Sequence, residues 1–179
     1  MWRSTDRGLS REFANYGGII RGISRVTTRV LGHLITQLYR FAKPMLDILA
    51  KIYDDSGRLL GVSQTLFEGD PRFVTAVGLR FESLSAIFRA VPDDDTFAVS
   101  LGPLAPEPNE TLIDASQSAP WSACVGLSIC WAWRLTNQQG YSDGVRFEFS
   151  KRGRESRAVI ELIVAASAIQ ASVVTSGAV

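Results

Sequence analysis

A chain of 179 residues with 46% apolar side chains is long enough for one domain with a hydrophobic core and short for two. Its net charge of +1 excludes a protein that binds nucleic acid through overall charge alone. The sequence shows neither a cleavable secretion signal nor an unbroken apolar run of membrane-spanning length, so we expect a cytoplasmic protein.

The charge is distributed unevenly along the chain. Residues 1–43 hold eight Lys and Arg against two acidic side chains, a net charge of +6. The rest of the chain holds eleven basic and sixteen acidic side chains, a net charge of −5. We therefore predict two parts, a basic helical extension over residues 1–43 and a single β-rich domain over residues 44–179.

The extension has the pattern of an amphipathic helix. Apolar residues recur at three- and four-residue steps from Ile19 to Ala42, and Pro44 ends the pattern. Arg21, Arg25 and Arg29 lie four apart and form a basic face. We expect the apolar stripe to pack on the sheet or on a second copy. Attachment to an anionic membrane surface is an alternative, and binding to nucleic-acid phosphate is a less favoured one.

After Met45 the apolar residues alternate, which predicts strands rather than helix. The pattern predicts strands over residues 48–53, 58–67, 73–81, 84–91 and 96–101. Links of two to five residues make these neighbours antiparallel, because parallel pairs need much longer crossovers. Residues 102–118 contain three prolines and are read as a loop, with a weak helical pattern near 109–118.

The last third of the chain predicts a hairpin and one long strand. The hairpin is CWAWRLTNQQGYSDGVRFEF, residues 130–149, and the long strand covers residues 158–174. Apolar residues on both faces favour a central strand there, with a buried helix as the alternative. The predicted fold class is α+β: a twisted antiparallel meander of about seven or eight strands with an amphipathic N-terminal helix.

The β-rich part offers no constellation that carries catalysis. His33 is the only histidine and lies in the predicted helix, so the strands cannot supply the imidazole of a catalytic triad or a His-based zinc site. The run Asp93–Asp95 follows a proline and is read as a turn rather than a cation site. Cys124 and Cys130 do not form a CxxC motif and are read as inert thiols. We predict no catalytic residue, no cofactor and no metal ligand.

The hairpin is the most distinctive segment. Trp131 and Trp133 are predicted to form a core ladder with Phe147 and Phe149, and Asp143–Gly144 is predicted to supply the turn. Four uncharged polar or aromatic side chains between the strands exceed what a minimal turn requires. Together with Asp143 they form the candidate recognition loop, either tied inward or pointing outward: Asn137, Gln138, Gln139 and Tyr141.

The arrangement W-x-W-x-L-T-N-Q-Q-G-Y-x-D-G-x-x-F-x-F, residues 131–149, resembles the marker of a family of small bacterial proteins of unknown function. The resemblance extends over about Met45 to Val174 and leaves the basic helix outside. It implies a family and no activity.

These patterns favour a non-enzymatic interaction module, such as an accessory or immunity-type protein that binds a protein partner or a second copy. The alternative is a small-ligand binder or an enzyme with a pocket at the 131–144 hairpin, lined by Trp131, Trp133, Tyr141 and Asp143. A further alternative is attachment to a membrane or, less favoured, to nucleic acid through the basic helix.

Overall fold

The computed structural model describes residues 45–92, 95–151 and 157–177. The predicted basic helix, its face of Arg21, Arg25 and Arg29, and His33 lie outside the described residues. Asp93 and Asp94 lie outside them as well.

The described chain begins in a helix, α1, over residues 45–55. The predicted strand over residues 48–53 is therefore wrong. Met45, Leu49 and Ile52 are buried, and their spacing of four and three residues places them on one helical face. The helix ends where Ser56 N–H donates to Ile52 O at 3.3 Å and Gly57 takes a φ of +74°.

Within the described residues, nine strands form two antiparallel sheets, which confirms the predicted fold class. Sheet I has the order β4-β3-β2-β1-β5, and sheet II has the order β6-β7-β8-β9. The bounds are β1 Leu59–Phe67, β2 Asp70–Phe81, β3 Ser85–Val91, β4 Thr96–Leu101, β5 Glu110–Asp114, β6 Ser128–Leu135, β7 Gly144–Ser150, β8 Arg157–Ala165 and β9 Ala168–Gly177.

The two sheets and α1 share one hydrophobic core. Phe88 of β3 and Phe147 of β7 meet edge to face across it, with ring centroids 5.4 Å apart. Trp121, in a 3-10 turn over Trp121–Ala123, is completely buried in the same cluster. Because residues from both sheets interdigitate there, the inner faces of the sheets are buried. A binding partner could contact only the outer faces.

A strap, residues 102–109, covers part of the outer face of sheet I. Leu104 lies so close to Gly78 that a Cβ at Gly78 would stand 2.7 Å from the Leu104 Cβ. Arg89 donates to Ala105 O at 3.3 Å and to Glu110 Oε1 at 2.7 Å. The strap then enters β5, so the weak helical pattern near 109–118 gives a strand instead.

The predicted long strand over residues 158–174 is two strands, β8 and β9, joined by a tight turn. Ala166 and Ser167 both take positive φ, +50° and +61°. Turns of this kind usually carry Asn–Gly, which is why the sequence gives no sign of this one. Asp95 Oδ1 accepts from Ser167 N–H at 2.7 Å and ties the turn to the β3–β4 corner.

A candidate recognition surface on sheet II

Two tryptophans stand on the outer face of sheet II instead of in the core. Trp131 is 56% exposed and Trp133 is 41% exposed, whereas Phe147 and Phe149 are fully buried. The predicted core position of the tryptophans is wrong and that of the phenylalanines is correct. The register explains the difference: Trp131 pairs with Glu148 and Trp133 with Arg146, so both lie on the face opposite the phenylalanines. The alternation of Arg and Glu with Phe in RFEF, residues 146–149, indicates that the charged side chains and the phenylalanines lie on opposite faces. The predicted core ladder leaves this signal out of account.

The helix adds a third ring to this pair. Tyr53, in the last turn of α1, is 46% exposed, and its ring centroid lies 6.2 Å from that of Trp131. The centroids of Trp131 and Trp133 are 6.3 Å apart, with an interplanar angle of 27°. Tyr53, Trp131 and Trp133 therefore form a continuous aromatic strip, stabilised by contacts between neighbouring rings.

Charged side chains border the strip on the next strands. Glu148, in register with Trp131, is only 8% exposed. Arg146, in register with Trp133, donates from Nε to Glu161 Oε2 at 2.9 Å. The face thus combines apolar rings at the sheet edge with a partly buried ion pair towards its centre.

A cleft of about 1020 Å³ adjoins the strip at Tyr53. Its walls come from the end of α1, the β2–β3 corner, the beginning of β6 and the end of β7. The charged side chains that line it are Asp54, Arg58, Glu82 and Lys151. Because Tyr53 belongs to both features, the cleft and the strip form one continuous surface.

An ion pair closes one side of this cleft. Arg58 Nε donates to Glu82 Oε1 at 2.7 Å, and Arg58 N–H donates to Glu82 Oε2 at 3.0 Å. The side-chain hydrogen bond holds the pKa of Glu82 below its ordinary value and raises that of Arg58. A Cβ at Gly57 would stand 2.7 Å from Glu82 Oε2, so glycine at this position makes room for the pair. These two charges satisfy each other and leave little for general acid–base chemistry.

The two cysteines differ in their surroundings, and both are thiols rather than a disulfide. Cys124 is buried, and this burial raises the pKa of its thiol to about 12, which makes it unreactive. Cys130 is half-buried, lines the cleft, and its Sγ donates to Glu148 O at 3.3 Å. The sequence reading as an inert buried thiol fits Cys124.

The hairpin loop is organised by Asn137. Its Oδ1 accepts from the N–H groups of Gln139 at 2.9 Å and Tyr141 at 3.1 Å. The positive φ of the loop, +86°, falls at Gly140, while Gly144 already belongs to β7 and pairs with Leu135. The prediction that Asp143–Gly144 forms the turn is therefore wrong, because the asparagine bonds close the corner earlier.

Of the other members of the predicted loop, three are exposed to solvent and one, Asp143, makes a backbone hydrogen bond to β8. Gln138, Gln139 and Tyr141 are exposed and Asp143 is half-buried. Asp143 O accepts from Val164 N–H at 2.8 Å. The cleft lining contains none of the four residues predicted to line a hairpin pocket, since the cleft lies at the opposite end of the hairpin.

A family model matches residues 49–177, which is most of the chain. The chain belongs to DUF6334, a family of unknown function. No curated protein and no solved structure matches it. The DUF6334 match begins inside α1 and includes both sheets, so the strip and the cleft lie within the family's own region.

The described part of the DUF6334 chain has neither a metal-binding cluster nor a membrane-spanning helix. Among the described residues, no group of three His, Cys, Asp or Glu side chains is placed to hold a metal ion. Within the same part of the chain, no helix is long and apolar enough to cross a membrane.

Proposed function

We propose that this DUF6334 chain is a non-enzymatic interaction module that binds a protein partner through the aromatic strip. The observation that carries the proposal is the exposure of three mutually contacting rings, with Trp131 at 56%. Trp and Tyr are the residues that most often anchor protein interfaces, because they bury a large area with few rotatable bonds. An accessory or immunity-type role in a bacterial cytoplasm is the form of this function that the sequence favours.

The shape of the strip supports a macromolecular partner. The three rings form one exposed row, with neighbouring centroids 6.2 and 6.3 Å apart and interplanar angles of 30° and 27°. A small molecule on such a row stays largely in water, whereas a protein surface can cover the row completely. The exposed loop residues Gln138, Gln139 and Tyr141 follow β6 directly and would add polar contacts at the rim.

The cleft supports a second candidate, a small ligand. Its volume of about 1020 Å³ lies at the upper end of the usual range for ligand sites. A ligand there would contact Tyr53, Lys151 and Asp54 at the mouth rather than the hairpin residues that the sequence indicated. Attachment through Arg21, Arg25 and Arg29 remains a prediction, and salt-dependent binding of the full chain to anionic vesicles or to DNA would test it.

Partner capture with matched surface variants tests the proposal. Full-length wild type is cross-linked in a lysate of its source organism and compared with the double variant Trp131→Ala, Trp133→Ala. The control is Leu112→Ala, Ile113→Ala on β5, which removes apolar side chains of similar exposure, 43% and 37%. We expect the same partner with wild type and control and its loss from the tryptophan variant. Retention of the partner by the tryptophan variant would overturn the proposal.

A further inference from the structure

We propose that the strip's partner is a second copy of this chain, added as an antiparallel strand to the free edge of β6. This inference rests on the proposed function and names the occupant of its surface. Within the described residues, β6 is hydrogen-bonded along its length only to β7, apart from a single bridge between Arg58 and Ser128. Its other side therefore presents backbone N–H and C=O groups to a further strand.

The remaining sheet edges are less suited to self-pairing. On β4, Phe97 N–H already donates to Ser142 O at 3.3 Å, and β9 lies against β2 of the other sheet. The short strand β5 carries Glu110 and Asp114 at its two ends. Pairing β5 antiparallel with its own copy about Leu112 would place Glu110 opposite Asp114 of that copy, and like charges directly opposite repel.

The sequence of β6 is complementary to itself when the strand is reversed. Pairing about Ala132 places Trp131 opposite Trp133 of the second copy, and the two-fold axis repeats this contact. Cross-strand aromatic pairs are among the most favourable in antiparallel sheets. Four tryptophan rings would then cover each other, with Tyr53 of each copy at the outer ends of the row.

Charge does not oppose this register. Arg134 of the second copy falls opposite Cys130, at the cleft, whose lining holds Asp54 and Lys151 beside the Arg58–Glu82 ion pair. Arg134 is the only charged residue of β6, so no like-charge pair arises within the ladder. Moving the axis to Trp131 would pair that residue with its own copy and Trp133 with Ile129, and moving it to Trp133 would pair Trp131 with Leu135, so the other registers lose the two Trp131–Trp133 contacts.

The exposed area of the three rings accounts for only part of the interface that a stable dimer needs. Aromatic side chains carry about 150–250 Å² each, so the exposed parts of the three rings supply roughly 300 Å² per subunit. A stable interface buries about 800 Å² per partner. The strand ladder and the cleft rim must supply the remainder, and we expect a dimer that dissociates on dilution through the micromolar range.

A cysteine at the two-fold axis tests the pairing directly. Residues opposite each other in an antiparallel pair have Cα atoms about 4.5–5.5 Å apart, within disulfide range. In full-length protein with Cys130→Ser, Ala132→Cys is expected to give a disulfide-linked dimer on mild oxidation. The matched control is Ala98→Cys on the edge strand β4, which is exposed and is expected to stay monomeric.

Sedimentation of unmodified protein provides a readout that does not depend on a new cysteine. Wild type is expected to show a monomer–dimer equilibrium, and Trp133→Ala is expected to raise the dissociation constant at least tenfold. A wild type that is monomeric at its highest soluble concentration would overturn the inference, as would equal cross-linking at residue 98 or an unchanged constant for Trp133→Ala. A monomeric chain that still loses another captured protein through Trp131→Ala, Trp133→Ala would overturn this inference alone and leave the proposed function standing.

Discussion

Asn137 and Gln138 are neighbours in the hairpin loop with different roles. Asn137 is half-buried, and its side-chain oxygen accepts from two backbone N–H groups. Gln138 is exposed. From sequence both are uncharged amides in a polar run, and nothing in their chemistry separates the one that shapes the loop from the one that faces solvent. The backbone path, with its positive φ at Gly140, decides which of the two side chains accepts hydrogen bonds from the backbone N–H groups of the loop.

This difference predicts unequal effects on stability. Asn137→Ala leaves two backbone donors without their acceptor and should lower the free energy of unfolding by about 0.5–2 kcal/mol. Gln138→Ala, the matched control, should stay within about 0.5 kcal/mol of wild type. Urea unfolding measures both. Equal losses for the two variants would show that the Asn137 bonds do not hold the loop.

Glu110 gives the protein a residue-specific acid sensitivity. Burial raises the pKa of its carboxyl, but hydrogen bonds from the Arg89 side chain and the Glu107 backbone outweigh this and leave it below the ordinary value of 4.5. Because the folded pKa is the lower one, the stabilisation is complete above pH 4.5 and is lost as the pH falls through the folded pKa. The strap should therefore loosen in acid.

Glu110→Gln tests this sign. The wild-type melting temperature should fall as the pH is lowered from about 6 to 3, and the variant should begin lower and fall less over the same interval. Thermal unfolding followed by circular dichroism at several pH values measures the difference. A variant that parallels wild type at every pH would remove Glu110 as a source of the acid sensitivity.

At the scale of elements, the turn between β8 and β9 is the least expected feature. Ala166 and Ser167 both occupy the left-handed region, where a non-glycine residue costs about 1–2 kcal/mol. The bond from Ser167 N–H to Asp95 offsets part of this cost from a distant part of the chain. Local sequence cannot reveal a turn whose support is tertiary, which is why one long strand was predicted.

Residues that adopt positive φ readily should stabilise the turn between β8 and β9. Ala166→Asn together with Ser167→Gly should raise the free energy of unfolding by about 1 kcal/mol, because Asn–Gly accepts positive φ readily. Asp95→Ala should lower it by a similar amount through loss of the bond to Ser167. Denaturant midpoints compare the three proteins. A destabilised Asn–Gly variant would contradict the turn as described.

Other elements show where sequence reasoning succeeds and where it fails. β1 to β4 follow from alternating apolar residues and short turns. The sequence predicts a strand where α1 lies because the apolar residues of this short segment satisfy both the helical and the strand period: Ile48, Leu49, Ile52 and Tyr53. β5 lies within a proline-containing stretch and forms because β1 offers it an edge, which is a property of the sheet and not of the segment.

At the scale of the whole molecule, the two outer faces are treated differently. On sheet I, the strap covers the part of the outer face around Gly78 and Arg89 through Leu104 and Ala105. Sheet II leaves the aromatic strip in water. Large exposed rings that contact one another are costly to keep on a surface unless something binds them. The place of the proposed interaction surface depends on strand register, which puts the tryptophans outside and which the sequence pattern does not reveal.

If the aromatic strip serves binding and not folding, its tryptophans contribute much less to the stability of the monomer than the buried phenylalanines do. The direct test is the free energy of unfolding of Trp131→Ala, Trp133→Ala in urea, at a protein concentration low enough to keep the chain monomeric. Phe147→Ala, a buried aromatic on the neighbouring strand, is the matched control and should lose about 3–5 kcal/mol. We predict a distinctly smaller loss for the tryptophan variant, about 1–2 kcal/mol, because both rings are partly exposed and the variant loses mainly the ring–ring contacts. A loss comparable to that of Phe147→Ala would show that the tryptophans belong to the core and would contradict this prediction.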